Sequence, residues 1–109
     1  MPIQVIIAQA GPLPISASFS APGDEPMYLE VNGSVWSSSS NEMLGIVVAV
    51  DGNELGEAQI FSNGNTTHRT VVPAYIQVQL SEGQHSLTLA AADNTVSDSN
   101  DLFTAVLHY

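Results

Sequence analysis

The sequence predicts an all-β protein, an antiparallel β-sandwich of the jelly-roll type. Apolar and polar residues alternate with a period of two in several runs, which is typical of strands with one buried and one solvated face. Gly, Pro, Asn and Asp are concentrated between these runs, where they favour turns. No stretch combines the 3.6-residue apolar periodicity of an amphipathic helix with capping residues. Short strands separated by turns, without helices, indicate two packed sheets.

The alternating runs predict about eight strands, drawn from nine candidate segments of which one is expected to be irregular. The first candidate is a short apolar run, and the second alternates without interruption from Ile15 to Ser20. In the third, Leu29, Val31 and Val35 are expected to face the core. In order along the chain, the nine candidates cover residues 2–9, 15–20, 27–37, 43–50, 55–62, 66–72, 75–80, 85–92 and 102–109.

Turn-forming residues between the runs predict two hairpins. An Asp-Gly pair at 51–52 follows the fourth candidate, and a Glu-Gly pair at 82–83 joins the seventh and eighth. Glycine tolerates the positive φ that tight hairpin turns need, and aspartate tolerates it better than most side chains. The neighbouring strands are therefore expected to pair antiparallel.

The composition indicates one soluble domain, residues 1–109, and excludes several functions. The chain has no cysteine, so disulfides and thiolate metal sites are excluded. Eleven acidic residues stand against a single basic one, Arg69, which gives a net charge of −10. Binding to nucleic acid or docking on an anionic membrane needs basic residues, and both are excluded. The apolar run 46–50 is far shorter than the roughly 20 residues that a membrane-spanning helix requires, so no membrane insertion is expected.

The amino-terminal residues do not predict a signal peptide. Residues 1–8 are apolar, but the run is short and has no basic segment before it. Few charges, no cysteine and much Ser, Thr and Asn are nevertheless typical of a secreted or particle-surface protein.

Two segments in the second half carry a resemblance to a known family. Gln77–Leu87 resembles the strand, acidic-glycine turn and strand of jelly rolls of the complement and tumour-necrosis-factor type. Asp101–Leu107 is similar to their closing strand, in which small and aliphatic residues follow a phenylalanine. Both lie within residues 75–109, about a third of the chain. The resemblance implies a homotrimer with a ligand-binding or structural role and no catalysis.

An acidic segment, residues 93–101, is the densest group of oxygen-bearing side chains in the chain. Calcium takes six to eight oxygen ligands and accepts flexible loops, so this segment is a candidate calcium site. The alternative is a solvated loop in which Asp and Asn side chains bond their own backbone. The candidate metal ligands are Asp93, Asp98, Asn100 and Asp101.

Trp36, the only tryptophan, is a candidate sugar-binding residue. If the alternate residues of its strand face the core, Tyr28, Asn32 and Trp36 lie on the opposite face. An exposed aromatic ring beside hydroxyl and amide groups can stack on the C–H groups of a sugar. The alternative is that Trp36 packs against the second sheet or a subunit interface.

His68 and Arg69 form a third candidate site, because Arg69 is the only permanent cation. One interpretation is a contact with an anionic group or another ligand. The other is a cross-strand ion pair with one of the many carboxylates, worth about 0–1 kcal/mol if exposed.

Several runs are apolar on both faces, which predicts a homo-oligomer with a trimer as the first choice. Met43, Val47 and Ala49 oppose the apolar residues of their own run, and Ile6-Ile7 and Val71-Val72 are adjacent apolar pairs.

The favoured function is a non-enzymatic binding module that recognises carbohydrate or another cell-surface ligand. The sequence has no nucleophile elbow, zinc-protease motif or phosphate-binding loop, so it does not predict an enzyme. The alternative is a structural jelly-roll subunit of a particle, an appendage or a phage-type assembly.

Overall fold

The computed structural model describes residues 2–109 and confirms the all-β prediction: this part of the chain forms nine strands and no helix. There is accordingly no helix in it that could cross a membrane. In chain order the strands are β1 (Ile3–Ala10), β2 (Ile15–Ala21), β3 (Met27–Val35), β4 (Glu42–Val50), β5 (Asn53–Ser62), β6 (Arg69–Thr70), β7 (Ala74–Val78), β8 (Gly83–Ala91) and β9 (Leu102–His108).

The nine strands form two antiparallel sheets, as the jelly-roll prediction requires. The first sheet has the order β1-β9-β3, and both β7 and β6 pair with the remaining edge of β3. The second sheet has the order β2-β8-β4-β5. Strands that are distant in sequence, such as β1 and β9, lie side by side, so the fold depends on long-range pairing.

The irregular strand expected among the nine is β6, which has only two residues. The segment after it connects the edge of one sheet to the edge of the other. The Val71 N–H donates to the Gly33 carbonyl at 2.9 Å, and the Val72 N–H donates to the Gln59 carbonyl at 2.9 Å. Consecutive N–H groups thus bond to different sheets, and Pro73, which follows, has no N–H to donate. A longer regular strand cannot form here.

The hairpin predicted at Glu82-Gly83 is wrong, because β7 pairs with β3 in the first sheet and β8 pairs with β2 and β4 in the second. The Asp51-Gly52 hairpin is confirmed and is tighter than predicted. Both residues have positive φ, 52° and 82°, so the turn takes only two residues and β5 begins at Asn53. The strand predicted to run to residue 37 ends earlier, at Val35. Trp36 leaves the sheet and forms an isolated bridge with Val96 instead.

The core lies between the sheets and consists of the inward residues of both. Gly33 lies at a close contact in this core, because a Cβ there would overlap the ring of Phe103 on the neighbouring strand. The buried side chains include Leu29, Val31, Val35, Leu44, Ile46, Val48, Leu87, Leu89, Phe103, Ala105 and Leu107.

The sandwich has two dissimilar ends. The loop end comprises residues 36–41, 63–68 and 92–101, where β3 ends and β4 begins. The turn end comprises residues 22–26, 51–52 and 79–82, where β4 ends and β5 begins. Backbone bonds such as Thr66 N–H to the Ser37 carbonyl, at 2.6 Å, tie the loops together at the loop end.

Candidate functional site

An exposed patch of aromatic and polar side chains covers the outer surface of the five-stranded sheet. We call it the tyrosine face: Tyr28, Glu30, Tyr75, Gln77 and His108. Because Leu29 and Val31 point into the core, the alternate residues of β3 point outward. Tyr28 is 49% exposed and Tyr75 is 65% exposed.

Strand register places these five residues side by side. Tyr28 pairs with His108 on β9 and with Gln77 on β7, and Glu30 pairs with Tyr75. The two tyrosines are therefore diagonal neighbours, with Cα atoms roughly 7–8 Å apart.

Glu30 is held in place at the centre of the tyrosine face. One carboxylate oxygen lies 2.8 Å from His108 Nε2, and the other accepts a hydrogen bond from the Tyr75 hydroxyl at 3.3 Å. A carboxylate accepts up to four hydrogen bonds, so Glu30 keeps lone pairs for hydroxyl donors of a ligand.

The loop end is organised around a buried carboxylate, Asp101, whose side chain is 0% exposed. One of its oxygens accepts hydrogen bonds from the Ser34 hydroxyl at 2.7 Å and from His68 Nδ1 at 2.6 Å. The other accepts the Asp98 backbone N–H at 2.9 Å. Three donors from three segments of the chain thus stabilise the carboxylate.

His68 lies at the surface above Asp101. The hydrogen bond to Asp101 raises the pKa of the imidazole above its ordinary value, and Asp98 adds a smaller effect in the same direction. The ring packs against the Trp36 indole, with centroids 5.8 Å apart. His68 Nε2 lies 3.8 Å from a carboxylate oxygen of Asp98, which is beyond hydrogen-bonding distance.

The candidate ligand residues do not form one site. His68 and Trp36 meet at the loop end, whereas Tyr28 lies eight residues before Trp36, about 27 Å along an extended strand. Asn32 points to the outer surface, as predicted, but its side-chain oxygen accepts the Gly33 N–H at 2.8 Å.

The expectation of an open tryptophan platform and of an arginine ion pair needs correction. Trp36 is half-buried, and its indole nitrogen is enclosed without a hydrogen-bond partner, because the chain leaves β3 there and pairs with Val96. Within residues 2–109, no carboxylate oxygen lies within 4.0 Å of the Arg69 guanidinium. The ion pairs among these residues all join a carboxylate to a histidine.

The predicted metal ligands converge only in part. Asp98 and Asp101 come together with His68, with one ligand atom from each lying within 4.8 Å of the others. Asp93 is exposed and does not join this group. Asn100 contributes its backbone N–H to an Asp98 carboxylate oxygen at 2.8 Å. Asx bonding of the kind expected for a solvated loop is therefore present, together with a His-Asp-Asp cluster that involves a distant segment.

A third histidine–carboxylate pair, and the second that involves an aspartate, lies at the turn end. His85 Nδ1 is 2.6 Å from Asp51, and His85 Nε2 is 2.7 Å from the Ser81 carbonyl. Asp51 also accepts the Ser86 N–H at 2.9 Å. These bonds raise the pKa of His85, chiefly through Asp51, and lower the pKa of Asp51, chiefly through His85.

Reasoning from sequence missed four residues of the tyrosine face: Glu30, Tyr75, Gln77 and His108. The alternation of β7 contains a signal for Tyr75, because Ile76 and Val78 face inward and their neighbours must face outward. That β7 and β9 flank the same part of β3 is a long-range pairing that no local pattern contains.

Comparison with known proteins identifies the fold and no family. No protein-family model and no curated protein match the sequence. Among solved structures, the C-terminal domain of EclA, described as a sugar-binding protein, matches 97% of this chain and 76% of its own length, with a TM-score of 0.52 at 14% identity.

A family 35 carbohydrate binding module from Clostridium thermocellum matches 96% of this chain and 90% of its own length, with a TM-score of 0.51 at 11% identity. At such low identity these likenesses show the fold alone. The resemblance to the complement and tumour-necrosis-factor type is therefore confirmed for the β-sandwich and not for that family.

Proposed function

We propose that this protein is a non-enzymatic carbohydrate-binding module and that the tyrosine face binds the glycan. The observation that carries the proposal is the diagonal pair of exposed tyrosines, Tyr28 and Tyr75, on either side of the fixed Glu30 carboxylate. A tyrosine ring offers a flat apolar surface for sugar C–H groups and a hydroxyl for hydrogen bonding.

The polar groups of the face suit the hydroxyls of a neutral sugar. Glu30 accepts hydrogen bonds, and the Gln77 amide both donates and accepts them. The net charge of −10 disfavours polyanionic glycans such as polymers of uronic acids, because the field of the whole protein repels them. We therefore infer a neutral glycan as the ligand class.

The shared fold supports the proposal independently of this surface. Both solved structures compared above are described in terms of sugar or carbohydrate binding. We assign no hydrolytic step to the tyrosine face, since Glu30 is its single carboxylate and glycoside hydrolysis generally uses two.

A glycan array followed by calorimetry on the glycans that bind tests the proposal. We expect Tyr28→Ala and Tyr75→Ala each to weaken binding by tenfold or more, because each removes a stacking surface. Phe61→Ala is the matched control: Phe61 is an aromatic of similar exposure, 46%, on the other sheet. Equal affinity of all three variants and the unmodified protein would overturn the assignment of the site, and an array without any binding would overturn the function.

The alternative function, a structural subunit, is favoured by an apolar groove beside β5. Met43, Phe61 and Val72 are exposed there, and the groove has a volume of about 420 Å³. The adjacent apolar pairs Ile6-Ile7 and Val71-Val72 expose less apolar surface for a subunit interface than the sequence suggested, because Ile7 and Val71 are buried in the core.

We retain the homo-oligomer, with a trimer as first choice, as part of this alternative. Sedimentation at physiological ionic strength tests it, with Phe61→Glu as the variant that places a charge in the groove. A structural subunit would sediment as an oligomer that this variant dissociates. An 11.5 kDa species for both proteins would rule the oligomer out.

A further inference from the structure

The hydrogen bonds of Asp101 at the loop end determine which nitrogen of the His68 imidazole carries the proton, independently of any sugar binding. Asp101 has its hydrogen bonds from Ser34 and from the Asp98 N–H, and an ionised carboxylate only accepts. The proton between His68 and Asp101 therefore belongs to His68 Nδ1. In the neutral ring this fixes the tautomer and leaves Nε2 with a free lone pair.

That lone pair lies 3.8 Å from an Asp98 carboxylate oxygen. Two acceptors at this separation cannot bond each other, but a cation between them could be bound by both. The outward position of Nε2 also leaves room for water to complete the coordination, since the His68 side chain is 38% exposed and that of Asp98 is 40% exposed.

We propose that His68 Nε2 and an Asp98 carboxylate oxygen bind a divalent transition-metal ion such as Zn²⁺, with Asp101 as the carboxylate that orients the imidazole. A carboxylate on the non-ligating nitrogen is the usual support of a metal-binding histidine, because it fixes the ring and increases its basicity. Zn²⁺ binds imidazole nitrogen and carboxylate oxygen at about 2.0–2.2 Å, so a small movement of the exposed Asp98 side chain closes the site.

The donor set distinguishes this site from the calcium site that the sequence suggested. Calcium prefers six to eight oxygen ligands, whereas an imidazole nitrogen favours Zn²⁺, Ni²⁺ and Cu²⁺. The Asp101 oxygens already accept three hydrogen bonds, so Asp101 acts on the metal through His68 rather than as a ligand.

The chain contains a natural control for this reasoning. His85 has the same 2.6 Å contact between Nδ1 and a carboxylate, but its Nε2 lies 2.7 Å from the Ser81 carbonyl. At 2.7 Å the carbonyl leaves no room for a metal ion beside Nε2, and the His85 side chain is only 10% exposed, whereas that of His68 is 38% exposed. His85 should not bind metal.

Calorimetric titration with Zn²⁺ alone, at a pH slightly above 8, tests the site in the full chain. We expect one Zn²⁺ per chain, at least a tenfold loss of affinity in His68→Gln and in Asp98→Asn, and unchanged affinity in His85→Gln. Asp101→Asn should weaken binding by about 10–100-fold, as is usual for the residue behind a metal-binding histidine. Circular dichroism confirms that each variant is folded.

Trp36 supplies a second readout, because its ring lies 5.8 Å from His68 and it is the only tryptophan. Paramagnetic Ni²⁺ bound at His68 should quench its fluorescence, and Zn²⁺ should compete the quenching away. Absence of Zn²⁺ binding at millimolar concentration, retention of full affinity in His68→Gln, or equal displacement of Ni²⁺ by Ca²⁺ would each overturn the proposal.

Discussion

The two histidine–aspartate pairs at opposite ends of the sandwich have the same contact distance and opposite burial. At the loop end the carboxylate is buried, with Asp101 0% exposed, and His68 is 38% exposed. At the turn end the imidazole is buried, with His85 10% exposed, and Asp51 is 45% exposed. The buried member of each pair is the one that connects several segments of the chain. The exposed member at the loop end is therefore the one that is available to a ligand.

The difference follows from the other partners of each buried group. Asp101 collects donors from β3, from the segment before β6 and from its own loop, so the carboxylate connects three segments. His85 donates to Asp51 in the β4–β5 turn and to the Ser81 carbonyl four residues earlier, while its ring packs against Phe19 with centroids 5.8 Å apart. The loop end is therefore held together by a buried acceptor, the Asp101 carboxylate. The turn end is held together by a buried charged donor, the His85 imidazole.

Replacement of the two aspartates should give the largest contrast between the pairs. Asp101→Ala leaves the Ser34 hydroxyl, the Asp98 N–H and the His68 ring without their acceptor, and an unsatisfied buried donor costs about 1–3 kcal/mol. We expect a loss of this size in the free energy of unfolding measured in urea. Asp51→Ala should cost clearly less, because water can replace an exposed carboxylate.

His68→Gln is the control that separates the carboxylate from its exposed partner. It removes the imidazole but leaves Asp101 with the Ser34 and Asp98 donors, so it should destabilise the fold far less than Asp101→Ala. If His68→Gln or Asp51→Ala proves as damaging as Asp101→Ala, burial is not what distinguishes the two ends.

Local patterns in the sequence were enough to predict the strands but not the sites. Period-two alternation locates the strands because each has one buried face, and the Asp-Gly pair specifies its own turn through two positive φ values. The prediction that Trp36 lies open on the outer face was wrong, because the alternation of inward and outward side chains ends with β3, one residue before Trp36. The pairing of His68 with Asp101 joins residues 33 positions apart, and chemistry of this kind depends on loops that local pattern does not specify.

The same limit explains why the tyrosine face was found only in part. Tyr28 could be assigned to the outer surface from its own strand. Tyr75 and His108 reach it through the pairing of β7 and β9 with β3, which brings together residues that are 47 and 80 positions from Tyr28 in the sequence. Solvent-facing positions carry no apolar signal that would identify their neighbours.

The smallest expected effect is the part of the pH dependence of stability that comes from the His85–Asp51 pair at the turn end. Both His85 nitrogens are donors to acceptors, so the native state favours the charged imidazole, and its pKa is raised above the ordinary 6.5. This contribution is fully present below pH 6.5 and is lost as the pH rises through the raised value. The pKa of Asp51 is lowered from 3.8, so its contribution is present above pH 3.8 and is lost as the pH falls through the lowered value. Between these limits both groups are charged and the pair stabilises the fold most.

Urea unfolding of the unmodified protein and of His85→Gln, compared at a pH near 5.5 and near 8.5, isolates this contribution because His68 and His108 are present in both proteins. The difference in unfolding free energy should shrink at the higher pH, and a difference that stays constant or grows would show that the His85–Asp51 pair does not depend on the second proton of the ring.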